Sequence, residues 1–147
     1  MDAEQLKKAC LAMPGSFEDF PFGPEMSVFR VRVPGAGGSK MFALSALAGR
    51  PLSVSLKCEP VLAEQLRAAH PEITGAYHLS KRHWNGVVCD AGLKEESIRD
   101  MIEDSYDLVV ASLPRSQREA LGWQRIVESA ANSVVSPAAS APIRTHE

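Results

Sequence analysis

Apolar and polar positions alternate over much of residues 26–58. In Met26 to Val33, Phe29, Val31 and Val33 share one side, while Arg30 and Arg32 share the other. Leu52, Val54, Leu56 and Cys58 alternate with Ser53, Ser55 and Lys57. Between them, Lys40 to Leu47 reads as a further strand. Period-two patterning predicts strands with one face buried and one face wet, the habit of an antiparallel sheet.

Other segments change period. Leu6, Ala9, Cys10 and Met13 recur at helical spacing over residues 3–13, and Pro14-Gly15 stops that helix. Pro60 suits a first helical position, with Val61, Leu62, Leu66 and Ala69 as the inner stripe, and His70-Pro71 ends the run. Trp84 to Asp90 is a fourth predicted strand. Residues 94–112 form the clearest helix, through Ile98, Met101, Ile102, Ser105 and Val109, with Glu95 and Glu96 in its first turn. Pro114 opens a last short helix, which Gly122 weakens. The turn at Phe20-Pro21-Phe22-Gly23-Pro24 is expected to dock its aromatics onto the core.

These elements predict an α+β fold, an antiparallel sheet with one face packed on helices. A chain of 147 residues fits one domain. Residues 1–128 are assigned to it. Residues 129–147, rich in Ala, Ser and Pro without an apolar period, read as a flexible C-terminal tail. No apolar run approaches the roughly 18–20 residues of a membrane span. The acidic, polar start at Met1-Asp2-Ala3-Glu4-Gln5 does not suit a secretory signal, so a cytoplasmic location is expected.

Charge sharpens this picture. The net charge is −2, which argues against a globally basic nucleic-acid binder. Its distribution is uneven. Residues 26–57 hold Arg30, Arg32, Lys40, Arg50 and Lys57 and no acid, whereas Asp90, Glu95, Glu96, Asp100, Glu103, Asp104 and Asp107 crowd residues 90–113. On opposite faces these would give the protein a basic side. The acidic helix 94–112 offers either a solvated face or a ridge for a basic protein partner or a hard cation.

The densest chemistry lies in Tyr77-His78-Leu79-Ser80-Lys81-Arg82-His83-Trp84-Asn85, with cations and aromatics interleaved and no acid. Such a mixture suits an anionic, planar partner, since charge meets phosphate and a ring face meets a base. Equally, Trp84 could be a core residue with Lys81 and Arg82 solvated beside it.

Other chemistries fit less well. In Gly35-Ala36-Gly37-Gly38-Ser39-Lys40, Ser precedes Lys and a strand follows, unlike a phosphate-binding loop. His78 and His83, five apart, point to opposite sides of an extended segment and have no neighbouring acid, so no metal site is assigned. No nucleophile–base order is visible, and Cys10, Cys58 and Cys89 are widely spaced without a Cys-x-x-Cys pair. They read as reduced structural thiols, and the protein as non-enzymatic and without a cofactor.

The chain resembles the MmcQ/YjbR family of small bacterial proteins. The resemblance rests on Pro21-Phe22-Gly23, Lys40-Met41-Phe42-Ala43, Ser55-Leu56-Lys57-Cys58-Glu59-Pro60, the stretch Tyr77 to Asn85, and Ser105-Tyr106-Asp107-Leu108-Val109, in that order over about residues 3–122. Ser80 stands where the family usually has Asn, and Gly86 where it usually has Thr. The resemblance implies a CyaY-like (frataxin-like) fold and a DNA-binding role. The expectation is therefore a DNA-binding protein that uses a basic sheet face and the His78–Trp84 loop. Arg30, Arg32, Lys40, Lys57, Lys81 and Arg82 would contact phosphates, with His83 and Trp84 packing or stacking close by. The alternative is a protein-interaction or small-anion-binding module on the same face.

Overall fold

Asp2 starts the first helix. Its carboxylate accepts from the Gln5 N–H, and the Gln5 side chain accepts in return from the Asp2 N–H, so two orphan donors are satisfied together. In the computed structural model, which describes residues 1–32 and 37–122, the order is α1 (Ala3–Leu11), β1 (Ser16–Asp19), β2 (Ser27–Arg32), β3 (Ser39–Ser45), β4 (Ser53–Lys57), α2 (Pro60–Ala69), β5 (Ile73–Gly75), β6 (Trp84–Val88) and α3 (Glu95–Ala111). The strands form one antiparallel sheet in the order β1-β2-β3-β4-β6-β5. Helical backbone also covers residues 115–122. The tail expected from Ser129 lies outside the described residues. Among the described residues no helix is long and apolar enough to cross a membrane.

The α+β class and the alternating strands are as expected. β1 and β5 are additions. Ser-Phe-Glu-Asp carries no apolar period, and all four residues of β1 are only half-buried. It is a strand because β2 offers it an edge. At Gly15 the chain turns into β1 with φ +72°, and a Cβ there would stand 2.7 Å from the Arg32 carbonyl oxygen. The Arg32 N–H donates to the Gly15 carbonyl at 2.7 Å. Only glycine permits that approach.

Directly opposed residues of antiparallel strands point to the same face. The row Glu18, Phe29, Ala43, Leu56, Asn85 and Gly75 runs across the sheet and faces the helices. Leu6, Cys10, Ile98, Ile102, Tyr106 and Val109 pack on this side, with Phe29, Phe42, Val54, Leu56 and Val87 beneath them. The row Asp19, Val28, Leu44, Ser55, Gly86 and Thr74 faces the other way. Val31 is 1% exposed while Arg30 is half-buried and Arg32 exposed, as the alternation requires.

Between β2 and β3 the pairing steps from Phe29 opposite Ala43 to Arg30 opposite Met41, so Phe42 is an extra residue in β3. This is a β-bulge. Both Phe42 and Ala43 are fully buried. The Ser105 hydroxyl of α3 donates to the Phe42 carbonyl at 2.6 Å and accepts from the Lys57 N–H at 2.9 Å. One side chain thereby satisfies the bulge and the end of β4.

Two local expectations fail. The stripe predicted for α2 is rotated: Val61 and Leu62 are 61% and 38% exposed, and Ala63 is the buried residue. The small Ala63 lets the helix approach β6, where the Asn85 amide reaches the Ala63 carbonyl at 3.5 Å. The Phe20–Pro24 turn does not dock both rings on the core, because Phe20 is 47% and Phe22 70% exposed.

Candidate nucleic-acid interface

The basic-aromatic stretch is the connection of the β5–β6 hairpin. A long loop needs its own ties, and this one has several. The Ala76 N–H donates to the Trp84 carbonyl at 3.2 Å, and the N–H groups of His83 and Trp84 both donate to the Ser80 carbonyl, at 3.1 and 2.9 Å. The Cys58 N–H takes the His83 carbonyl at 2.8 Å, joining the loop to the end of β4. Arg67, in the last turn of α2, donates to the Lys81 carbonyl and to Asn85 Oδ1, each at 2.8 Å. The Lys81 stem lies over Gly75, where a Cβ would meet its Cγ at 2.8 Å. Lys81 Nζ stands 3.5 Å from the Ala76 carbonyl.

The structure divides the eight predicted contact residues. Lys81 and Arg82 line a shallow depression of about 510 Å³ with Pro60, Val61, Glu64 and Arg67. Arg82 and His83 are exposed. Trp84 is half-buried and opposes Lys57 across β4–β6 on the face turned from the helices. Arg30 and Arg32 share that face further along the sheet, but each has a partner from β1. Arg30 Nε is 3.2 Å from Asp19 Oδ2, and the Arg32 guanidinium sits 4.0 Å above the Phe17 ring. Lys40 is on the other side. The bulge sets it opposite Val31, in a row that faces the helices. Were Phe42 paired regularly with Arg30, Lys40 would oppose Arg32.

Arg67 was absent from the sequence reading. Its signal lay in spacing, four residues after Ala63, so that both fall on the side of α2 turned to the sheet. Without Ala63 as the buried position, spacing does not set Arg67 apart from any other cation in the last turn of a helix.

A second concavity of about 660 Å³ lies between α2 and α3. Leu62, Leu108 and Ala111 form its apolar part and Glu59, Asp104 and Asp107 its acidic part, with Cys58 at its wall. The Glu59 carboxylate also caps α2 by accepting from the Leu62 N–H at 3.0 Å.

The thiols are held protonated. Burial pushes Cys58 up from 9.0, with Asp104 and Glu59 adding to the effect. Burial also raises Cys89 to about 11 and Cys10 to about 12, the latter helped by Cys89 and Glu18. Because the unfolded Cys10 thiol ionises near 9.0, its contribution to stability is intact below pH 9 and is lost as pH climbs towards 12. A loss of roughly 4 kcal/mol at the alkaline end is expected from this thiol. Denaturant melts between neutral and strongly alkaline pH check it, and Cys10→Ala should flatten the alkaline decline. Among the described residues no group of three or more His, Cys, Asp or Glu could hold a metal ion.

The fold and loop together define a small α+β protein with a tied, basic-aromatic hairpin beside one sheet face. The YjbR family model matches residues 11–108. The chain belongs to the YjbR family. It is 34% identical over 117 residues to an uncharacterised protein, YbdF, of Escherichia coli O157:H7, covering 79% of this chain and 90% of YbdF. It is 31% identical over 122 residues to the uncharacterised protein YjbR of Escherichia coli K12, covering 82% and 98% of the two chains. The crystal structure of Deinococcus radiodurans protein DR2400, with a DUF419 domain, superposes with a TM-score of 0.75 at 36% identity, covering 82% of this chain and 88% of that one. A Pseudomonas syringae protein superposes with a TM-score of 0.62 at 28% identity, covering 74% and 99%.

Proposed function

We propose that this protein is a non-enzymatic, cytoplasmic nucleic-acid-binding module, with DNA as its partner and the β5–β6 hairpin as its contact surface. The observation that carries the reading is the tied loop, in which Lys81 and Arg82 line one depression and His83 is exposed, while Lys57 and Trp84 oppose each other across β4–β6. Raised thiol pKa values make these cysteines poor nucleophiles, so none of the three is given a catalytic role. The CyaY-like comparison belongs to the same reading. What supports it is an antiparallel sheet with α1 and α3 on one face.

The contact set is smaller than the charge pattern along the chain suggests. With Arg30 on Asp19, Arg32 on Phe17 and Lys40 on the helix side, Lys57, Lys81 and Arg82 are the cations assigned to phosphates. Duplex binding should therefore weaken with salt with a slope of about −2 to −3, at roughly −0.9 per phosphate neutralised. Replacing Lys81 and Arg82 together with Ala should remove about 2 from that slope. Arg30→Ala should leave it unchanged. Fluorescence anisotropy at several salt concentrations measures all three. Salt-independent binding, or none at low salt by folded protein, would sink the reading.

A second reading has its own observation. The concavity between α2 and α3, apolar at Leu62 and Leu108 with Glu59, Asp104 and Asp107 alongside, suits a basic segment of a protein partner at the acidic helix.

A further inference from the structure

We propose that the hairpin takes an unpaired base of single-stranded DNA, and that Tyr77 is the ring on which that base stacks. This rests on the nucleic-acid reading above and names the form of nucleic acid the site fits.

Tyr77 is 78% exposed, more than any other large hydrophobic side chain among the described residues. Nothing in the core asks for an aromatic ring there. Its orientation is set by its neighbour. His78 adopts φ +64°, a left-handed conformation uncommon for a residue with a Cβ, and its ring lies 3.8 Å from the Tyr77 ring, centroid to centroid, tilted by 47°. Beneath the tip, Arg67 holds the Lys81 carbonyl and Asn85, and the Ser80 carbonyl collects two N–H groups. The pair thus stands on a braced stem, so little order remains to be imposed on binding.

Trp84 is differently placed. It is half-buried in β6, opposite Lys57 and away from the loop tip. Of the packing or stacking expected of Trp84 from the sequence, the proposal keeps the packing and gives the stacking to Tyr77.

The choice of single strand follows from what is exposed. In a duplex both faces of a base are already stacked, so a protruding tyrosine finds a ring face only by prying a step apart, at a cost of a few kcal/mol. An unpaired base offers its face freely, and base–aromatic stacking tolerates any sequence. Duplex recognition also favours a long row of free cations. Here Arg30 and Arg32 are engaged by β1, and of the cations assigned to phosphates Lys81 and Arg82 lie together on one hairpin. Such a footprint matches a short run of backbone.

The test compares three labelled probes by anisotropy at one low salt concentration: a short oligothymidylate, an abasic strand of equal length, and a duplex of equal length. The oligothymidylate should bind most tightly, and the abasic strand, which keeps phosphates but lacks rings, should fall behind it. Tyr77→Ala should weaken oligothymidylate binding about 5- to 150-fold and leave its salt slope unchanged. Tyr77→Phe should keep most of the affinity. Because Tyr77 is exposed, the variants should melt as the parent does, which a thermal scan verifies. Equal affinity for oligothymidylate and abasic strand, or no effect of Tyr77→Ala, overturns the stacking role while nucleic-acid binding stands. Tighter binding of the duplex overturns the single-strand preference. Absence of binding to every probe overturns both.

Discussion

Tyr106→Ala is expected to destabilise the protein by about 3–5 kcal/mol, the range for removing a buried aromatic ring. Tyr106 is fully buried and is the largest such side chain among the described residues. Its ring meets Phe42 edge-on at 5.5 Å, and its hydroxyl donates to the Pro14 carbonyl at 2.6 Å, 92 residues earlier in the chain. One side chain thus fastens α3 to the bulge of β3 and to the turn after α1. Tyr106→Phe separates the two parts. It keeps the ring but leaves the Pro14 carbonyl without its donor, at a cost of about 1–3 kcal/mol. Urea melts of both variants, compared at equal slope, measure the difference. A Tyr106→Ala midpoint within error of the parent would show that α3 is not held as described.

Ser105→Ala is expected to cost about 2–4 kcal/mol, far more than loss of a hydroxyl at a wet position, because two backbone groups lose one partner together. The Phe42 carbonyl belongs to the bulge's extra residue, and the Lys57 N–H closes β4. Removing the hydroxyl frees both inside the protein. Hydrogen exchange provides a sharper check than the melt alone. The Lys57 amide should lose protection in the variant, while Val54, paired with Val87 in mid-strand, should keep it. Unchanged exchange at Lys57 would mean that the hydroxyl bridge does not hold this end of the sheet.

The candidate site was legible in part. The stretch Tyr77 to Asn85 advertised itself through composition, since interleaved cations and rings are rare in a loop with no task. The division of labour within it was not legible. Which ring stands free depends on where β6 begins, and that is set by pairing with β4 some thirty residues earlier. Arg67 was hidden for a similar reason. Its role depends on Asn85 and on Lys81, partners 18 and 14 residues away.

The sheet face divides in the same way. Local alternation was enough to place Phe29, Val31, Val54 and Leu56 inward and Arg30, Arg32, Ser53 and Ser55 outward, because side-chain direction along a strand follows from period two alone. Period α-helical spacing likewise located α1 and α3, where Leu6, Cys10, Ile98, Ile102 and Val109 are buried. The resemblance carried the family, because its motifs span most of the chain. Register could not be read this way. One extra residue at Phe42 turns Lys40 to the helix side, and a polar four-residue edge strand brings Asp19 and Phe17 to Arg30 and Arg32. Both are long-range pairings whose energy comes from neighbours distant in sequence. The chain by itself determined which residues alternate, which repeat at helical spacing and where its unusual chemistry lies. Only the tertiary structure decided which of its cations remain available to a partner, because that depends on what each one meets across the sheet.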